Sequence, residues 1–184
     1  MVASKVFTAD DLLTMSGDYE LIRGELREVS PASAEPTMVA FNFGAPLHAF
    51  VGRHKLGRIT GADGGFELFP DRQSVVAPDV GFIRRERIPA KFDYQHFVPV
   101  PPDAALEVMS PSDSFPEVME KINLYLEAGV PLVWLAIPKR RVIVVYRPGR
   151  APRTLTENDE IDGEDVIPGF RMPVREVFAD PLAE

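Results

Sequence analysis

Three segments of the chain carry apolar residues every three or four positions, the spacing that gathers them on one face of an α-helix. The first begins after Thr8, which forms the pattern of a capping box with Asp11. The second covers about residues 37–51 and contains Pro46, which predicts a kink or a break. The third covers about residues 115–128, begins at another capping box and ends at a glycine.

Shorter runs, in which apolar residues alternate with polar ones or stand together, predict β-strands. They are residues 19–29 (a hairpin that turns at Gly24), 66–69, 74–83, 103–109, 132–137 and 142–146. Loops are predicted at residues 31–36, 84–102 and 156–165, and the middle one is long enough to form a lid. This order of elements predicts an α/β (α+β) fold, with a central mixed β-sheet flanked by helices in one domain that covers residues 1–184.

Two acidic residues interrupt predicted core strands and are the first sign of a functional site. Glu107 lies within the apolar run 103–109, and Asp79 lies within the run 74–83. Burying an unpaired carboxylate costs several kcal/mol or more, so each must be paired, protonated or bound to a metal. If the two strands are neighbours, their alternating geometry lets the carboxylates converge. Two hard oxygen ligands, with water and a substrate phosphate, commonly hold Mg²⁺, which can activate water for attack on a phosphodiester.

Lys121 is the third residue of this candidate site. It borders the apolar stripe of the third predicted helix, which consists of Val118, Ile122, Tyr125 and Leu126. Its ammonium could reach the two acids and either orient the attacking water or stabilise the pentavalent phosphate. Each residue also has a plainer explanation, with Asp79 in a strand-end turn, Glu107 paired with an arginine and Lys121 solvated. Their occurrence together and in this order favours a catalytic site.

The composition restricts the partners and the compartment. The formal net charge of −8 argues against general tight binding of DNA through many phosphate contacts. Basic residues are nevertheless clustered at 53–58, 84–91 and 139–150, either as solvated charges or as a positive rim around an acidic pocket. The lack of cysteine fits a reducing compartment. With neither a signal-peptide pattern nor an apolar run of about 20 residues, the chain is expected to be cytoplasmic, with no membrane partner.

Several other catalytic classes lack their motifs in this sequence. The glycine-rich stretch 61–65 lacks the Lys-Ser/Thr of a phosphate-binding loop, and no Gly-x-Ser-x-Gly elbow occurs. The histidines, His48, His54 and His96, do not have the spacing of a zinc site. A hydrolase of the serine or zinc type is therefore disfavoured.

The order of the candidate residues is typical of one nuclease superfamily. A Pro-Asp pair that ends at Asp79, then Glu107 near a strand end, then Lys121 on the next helix resembles the PD-(D/E)XK superfamily and its restriction-endonuclease-like fold. The usual lysine position is Met109 here, and Lys121 fits the relocated lysine of some branches. More specifically, the chain resembles the Uma-two family of proposed restriction endonucleases, long described as a domain of unknown function. The matching segments, in order from about residue 7 to 179, are Thr8-Ala-Asp-Asp-Leu-Leu13, Tyr19-Glu-Leu-Ile-Arg-Gly-Glu-Leu26, Ala77-Pro-Asp-Val-Gly-Phe-Ile83, Glu107-Val-Met-Ser-Pro-Ser112, Lys121-x3-Tyr125-x3-Gly129-Val-Pro131, Trp134 and Val166-Ile-Pro-Gly-Phe-Arg-Met-Pro173.

The resemblance implies a role for each residue of the site. Asp79 and Glu107 become the ligands of Mg²⁺, for which Mn²⁺ is a substitute. Lys121 becomes the catalytic lysine, Glu20 an additional acid at the site, and Glu25 a weaker candidate. The implied activity is hydrolysis of phosphodiester bonds in nucleic acid, with DNA expected ahead of RNA and a homodimer as one arrangement.

Ser110 and Ser112, which follow Glu107, are expected to form hydrogen bonds at the start of a helix rather than to act as nucleophiles. The chain departs from the family pattern at Arg23, Thr37, Leu132-Val133 and Ile137, all outside the metal-site set. Two alternatives to a nuclease stay open. One is a catalytically degenerate binding or interaction module, which the acidic balance favours, and the other is a metal-dependent hydrolase of small phosphoesters.

Overall fold

Twelve β-strands and four α-helices make up the part of the chain described by this computed structural model, which is residues 5–29, 31–180 and 182. The strands are β1 (Tyr19–Ile22), β2 (Glu25–Glu28), β3 (Gly57–Gly61), β4 (Phe66–Glu67), β5 (Val75–Val76), β6 (Val80–Arg84), β7 (Ala104–Val108), β8 (Leu132–Ile137), β9 (Val142–Tyr146), β10 (Arg153–Leu155), β11 (Glu160–Asp162) and β12 (Arg171–Pro173). The helices are α1 (Ala9–Thr14), α2 (Ala34–His54), α3 (Phe115–Glu127) and α4 (Val174–Val177). None of the helices among these residues is both long and apolar enough to span a bilayer.

The largest sheet has six strands in the order β10-β9-β8-β7-β6-β3. Within it β7 and β8 are parallel, and the other neighbouring pairs are antiparallel. α3 connects β7 to β8, as the crossover between parallel strands requires. A smaller sheet has the order β2-β1-β5-β4, and β11 pairs with β12. The predicted α/β fold with a central mixed sheet is therefore confirmed.

Helices cover both faces of the large sheet. α2 packs on one face, where Phe43 joins Leu106 in one apolar cluster. α3 packs on the other face, where Ile122 joins Ala105 in a second cluster. Because successive residues of a strand point to opposite faces, Glu107 shares the face of Ala105 and points toward α3.

Both predicted capping boxes form. The carboxylate of Asp11 accepts a hydrogen bond from the backbone N–H of Thr8 at 3.0 Å. At the start of α3, the N–H of Ser114 donates to Glu117 at 3.2 Å, and the N–H of Glu117 donates to the hydroxyl oxygen of Ser114 at 3.4 Å. Gly129 follows the helix with φ +82°, a conformation that favours glycine. Local sequence therefore fixes where α3 begins and ends.

α2 continues through Pro46, so of the predicted kink or break the break is wrong and the kink stays a prediction. A proline inside a helix costs about 3 kcal/mol or more. Phe43, Leu47 and Val51, on both sides of it, are almost completely buried, and burying such a side chain contributes roughly 1.5–3 kcal/mol. Packing against the sheet therefore outweighs the backbone defect.

The predicted loop 31–36 is shorter than expected because α2 already begins at Ala34. Pro36 lies in the first turn of the helix. The N–H groups of a first turn have no partner within the helix, so a residue that lacks one is tolerated there.

The predicted loop 156–165 contains a strand, β11. Its Ile161 is fully buried and lies opposite Met172 of β12. Arg171 forms ion pairs of 2.8 Å with the acids on both sides of Ile161. The acidic composition indicated a loop, but the acids face a partner strand that carries the opposite charge.

The run 74–83 is two strands in two sheets, not one strand. β5 belongs to the smaller sheet and β6 to the larger one. Between them, Pro78 cannot donate a hydrogen bond to a strand ladder, and Asp79 uses its side chain to accept one from the N–H of Val108 at 2.7 Å. Asp79 therefore lies at the junction of the two sheets, rather than inside a strand.

The segment 84–102 starts with a 3-10 turn, Arg85–Arg87. Toward its C-terminal end, backbone hydrogen bonds join it to the smaller sheet at β4. The N–H of Val98 donates to Gly65 at 2.9 Å, and its carbonyl accepts from Glu67 at 2.8 Å. Its use as a lid stays a prediction.

Candidate active site

Asp79 and Glu107 lie next to each other where β6 begins and β7 ends. Val80 is paired with Leu106 across these antiparallel strands, so the register continued by one residue sets Asp79 opposite Glu107. The hydrogen bond from the N–H of Val108 to Asp79 Oδ2, at 2.7 Å, holds the aspartate in this position. The structure thus brings the two acids together as the sequence predicts, and their role as metal ligands stays a prediction.

Lys121 reaches this pair from α3. Its Nζ lies 3.0 Å from Glu107 Oε2 and 2.9 Å from Glu20 Oε1, and it donates to the carbonyl oxygen of Ala77 at 3.3 Å. Three oxygen neighbours match the three N–H donors of an ammonium. Its side chain is 21% exposed, so the alternative of a solvated helix lysine is wrong.

Glu20 enters the site from the smaller sheet. It lies on β1, and its Oε1 accepts a hydrogen bond from the backbone N–H of Ala77 at 2.9 Å as well as contacting Lys121. Residue 77 belongs to the connection between β5 and β6 that also carries Asp79. The cluster therefore joins both sheets and α3 at one point.

Tyr125 also belongs to the site, although the sequence pattern predicted only that it is part of the apolar stripe of α3. Its buried hydroxyl donates to Glu107 Oε1 at 2.7 Å. Residues four apart on a helix share a face, so Lys121 and Tyr125 hold the two oxygens of Glu107 from consecutive turns of α3. The available signal was a polar hydroxyl in an otherwise apolar stripe, one turn after the candidate lysine.

Burial governs the charges of this cluster. Loss of solvation raises the pKa of Glu107 to about 8, against the lowering effect of the Lys121 ammonium. Loss of solvation also raises the pKa of Asp79, which the N–H of Val108 partly offsets. Burial opposes the charge on Lys121, yet the carboxylates of Glu107 and Glu20 raise its pKa above the ordinary value. One ammonium among three carboxylates leaves an excess of negative charge, which a proton or a bound cation can neutralise.

The remaining candidates from the sequence lie outside the cluster. Glu25 is exposed on β2 and is not a neighbour of the Lys121 ammonium. Ser110 and Ser112 share a hydrogen bond of 2.8 Å between their hydroxyl groups, and the N–H of Ser110 donates to Asp113 at 2.7 Å. These contacts organise the approach to α3, as expected for residues that are not nucleophiles.

The donor chemistry of the site is compatible with a hard divalent cation. Among the residues that the structure describes, no group of three or more His, Asp or Glu is arranged to hold a metal. Asp79 and Glu107 nevertheless supply two carboxylates, and Mg²⁺ commonly uses one or two together with water and substrate phosphate. Burial raises the pKa of both carboxyl groups. A positive charge in addition to that of Lys121 would therefore stabilise their ionised forms.

The mixed sheet with helices on both faces, and an acidic cluster at the start of β6 and the end of β7, agree with the restriction-endonuclease-like fold that the motifs imply. The family model described as "Putative restriction endonuclease" (Uma2) matches residues 9–175. The chain therefore belongs to this family, which confirms the resemblance seen in its motifs.

A solved structure shows the same fold. It is described as a putative nuclease belonging to DUF820 from Anabaena variabilis, and it superimposes with a TM-score of 0.76 at 19% sequence identity. The match covers 94% of this chain and 97% of that one. A search of curated proteins gives no match.

Proposed function

We propose that the protein is a metal-dependent nuclease that hydrolyses phosphodiester bonds in nucleic acid, DNA ahead of RNA. One observation carries the proposal. Carboxylates at the facing ends of two strands and an ammonium from the next helix converge in a single, mostly buried cluster, with Asp79 and Lys121 both anchored by backbone groups. Membership of a family described as putative restriction endonucleases and a nuclease-like fold support it.

Asp79 and Glu107 would hold Mg²⁺, or Mn²⁺ in its place, through their carboxylate oxygens. When bound, such an ion neutralises charge on the phosphate and lowers the pKa of water. Tyr125 keeps the side chain of Glu107 in one orientation through its 2.7 Å hydrogen bond. The N–H of Val108 does the same for Asp79, so both ligands are preorganised.

Lys121 supplies the fixed positive charge that the reaction needs beside the phosphate. To bind a nonbridging phosphate oxygen or to orient the attacking water, its ammonium would exchange one of its three present partners, Glu107, Glu20 or the carbonyl of Ala77. Preorganised donors of this kind account for much of enzymatic rate enhancement. Glu20 is a positioning residue in this scheme. It holds the ammonium at 2.9 Å while its own carboxylate is fixed by the N–H of Ala77.

The test is a cleavage assay with Mg²⁺ and with Mn²⁺ on long DNA, on RNA and on a chromogenic phosphodiester. Wild type should cleave a nucleic acid, and Glu107→Gln and Lys121→Met should each lose most of the activity. Glu25→Gln, an exposed acid on β2, is the matched control and should keep it. Equal activity in all four proteins would show that a contaminant or another site is responsible.

A non-catalytic binding or interaction module is the second candidate, and one observation favours it. Both carboxylate oxygens of Glu107 already have a partner, Oε1 in Tyr125 and Oε2 in Lys121, so the cluster is partly neutralised from within. Such a domain would cleave none of the three substrates with either metal. Cleavage of the chromogenic phosphodiester alone would instead indicate a hydrolase of small phosphoesters, which suits the net charge of −8.

A further inference from the structure

A basic pocket lies at the end of β6 that is remote from Asp79. β6 begins beside Asp79 and ends at Arg84, and the next residue, Arg85, lines this pocket. At about 3.3 Å per extended residue, the pocket is roughly 20 Å from the acidic cluster. It has a volume of about 610 Å³ and is formed by the α2–β3 connection, β3 and the segment 84–102.

The charged side chains that line this pocket are all cationic. They are Lys55, Arg58 and Arg85, and no Asp or Glu among the described residues joins them in the lining. None of the three forms an ion pair with residues 5–29, 31–180 or 182. In a protein with a net charge of −8, three cations without counter-ions in one concavity form a local site for an anion.

Strand pairing creates this charge concentration. Arg58 lies opposite Ile83 in the β3–β6 ladder, which brings the basic clusters 53–58 and 84–91 together. From the sequence alone, the basic clusters could be either solvated charges or a positive rim around the acidic pocket. These two clusters instead meet at the other end of β6, away from Glu107.

An exposed aromatic ring completes the pocket. Tyr94 is 63% exposed, and the guanidinium carbon of Arg58 lies 5.1 Å from the centre of its ring. The ring of Phe92 packs edge-on against it, with the centroids 4.8 Å apart. Arg58 and Phe92 thus hold the tyrosine in place while much of its surface faces solvent, an arrangement suited to base stacking.

We infer that this pocket binds an unpaired segment of nucleic acid, with a base stacked on Tyr94 and phosphate oxygens bound by Arg58 and Arg85. The base must be unpaired because neighbouring bases cover its faces within a duplex. The inference rests on the proposed function and gives it a substrate class, strands with single-stranded character. At about 3.4 Å per stacked nucleotide, the distance to Asp79 corresponds to roughly six stacked nucleotides, so a single nucleotide cannot occupy both sites.

Binding is measured by fluorescence anisotropy in EDTA, with labelled single strands of about 12 nucleotides, twice that span, made of DNA and of RNA. Tyr94→Ala should weaken binding about 5- to 150-fold, since stacking on an aromatic side chain contributes roughly 1–3 kcal/mol per base. Arg58→Ala should weaken binding. It should also reduce the magnitude of the slope of log K against log salt concentration by about 0.7, since one phosphate contact is lost. Phe41→Ala is the matched control, an aromatic residue 73% exposed on α2, and should bind as wild type. A preference for the DNA or the RNA strand identifies which of the two the pocket takes.

Three further comparisons separate this inference from the proposed function. Tyr94→Phe keeps a ring and should retain binding, which distinguishes stacking from a folding defect in Tyr94→Ala. Hydrolysis of the chromogenic phosphodiester should be the same in Tyr94→Ala and wild type, since that substrate is too short to reach the pocket. A fully paired duplex should bind without dependence on Tyr94.

Wild-type affinity for single strands in both Tyr94→Ala and Arg58→Ala would overturn the inference and leave the proposed function standing. If duplex binding and single-strand binding depend equally on Tyr94, the inference that the bound segment must be unpaired is overturned. Tyr94-dependent binding by a wild type that cleaves nothing would support the pocket and contradict the nuclease.

Discussion

Lys121 Nζ lies 3.0 Å from Glu107 Oε2, although the lysine belongs to α3 and the glutamate to a central strand. The pair links the element that follows β7 back to the end of β7 itself. A buried carboxylate is tolerated there because an ammonium and a tyrosine hydroxyl both contact it.

Replacing Lys121 by methionine should reduce both activity and stability. Loss of one fixed donor beside a developing charge typically costs about 10²–10³ in rate. Removing one partner of a buried pair costs about 3–5 kcal/mol when the other stays ionised, so the loss should be larger above pH 8 than below it. Urea denaturation and single-turnover cleavage measure the two effects.

Lys139→Met is the control for that substitution, because Lys139 is exposed after β8. It should change the free energy of unfolding by about 0.5 kcal/mol or less. Equal effects of the two substitutions would mean that Lys121 contributes only as an ordinary surface lysine.

Replacing Tyr125 by phenylalanine should move the pH dependence of the reaction. Its hydroxyl donates to Glu107 and lowers the pKa of that carboxyl, so the pKa should rise when the donor is lost. The acidic limb of the pH–rate profile should shift to higher pH. Above pH 8, where Glu107 is ionised, loss of a hydrogen bond to a charged group should also destabilise the fold by about 1.5–3 kcal/mol. Tyr146→Phe removes a hydroxyl that donates to the weak acceptor sulfur of Met119, and it should leave the profile in place.

Stability of the metal-free protein should fall as the pH rises toward 8. Burial raises the pKa of Glu107 from 4.5 to about 8 in the fold, so between these values the native state binds more protons than the unfolded state. The stability that protonated Glu107 contributes is complete below about pH 4.5 and is lost as the pH passes through about 8, at up to about 1.4 kcal/mol per pH unit. Denaturation in EDTA should show this slope in wild type and a smaller one in Glu107→Gln. Identical slopes would show that Glu107 is ionised in the fold throughout this range.

Two glycines next to the basic pocket should respond in opposite ways to alanine. A Cβ at Gly57 would lie 2.0 Å from the carbonyl oxygen of Ile83, so Gly57→Ala should cost about 3 kcal/mol or more as β3 separates from β6. A Cβ at Gly52, in α2, meets nothing within 4 Å, and Gly52→Ala should stabilise the helix by about 0.5–1 kcal/mol. Thermal melting of both variants checks this, and a neutral Gly57→Ala would show that β3 can shift without loss.

The sequence predicts those parts of the site whose signal is local. Glu107 stands out because a charge in an apolar run is visible without any knowledge of its partner. Lys121 is placed at the border of a helix face by the 3.6-residue period alone. Tyr125 looks the same as a core aromatic, since its hydroxyl partner lies on another element.

Features that depend on strand pairing could not be read from local patterns. The connection at Asp79 crosses between two sheets, while its residues resemble one continuous strand. The basic pocket exists because Arg58 lies next to the end of β6, and only the β3–β6 pairing brings them together. Pro46 predicts a kink or a break, and burial of Phe43 and Leu47 keeps the helix from ending there. In each case tertiary packing, which local patterns do not reveal, decides the outcome.

A calorimetric titration with Mn²⁺ above pH 8 tests whether Asp79 and Glu107 form one metal site. At that pH protons compete less for Glu107, whose pKa is about 8. Wild type and Glu25→Ala should bind Mn²⁺ saturably, while Asp79→Ala and Glu107→Ala should each abolish binding. A folded wild type that binds no Mn²⁺, or a titration that either substitution leaves unchanged, would contradict a metal site formed by Asp79 and Glu107.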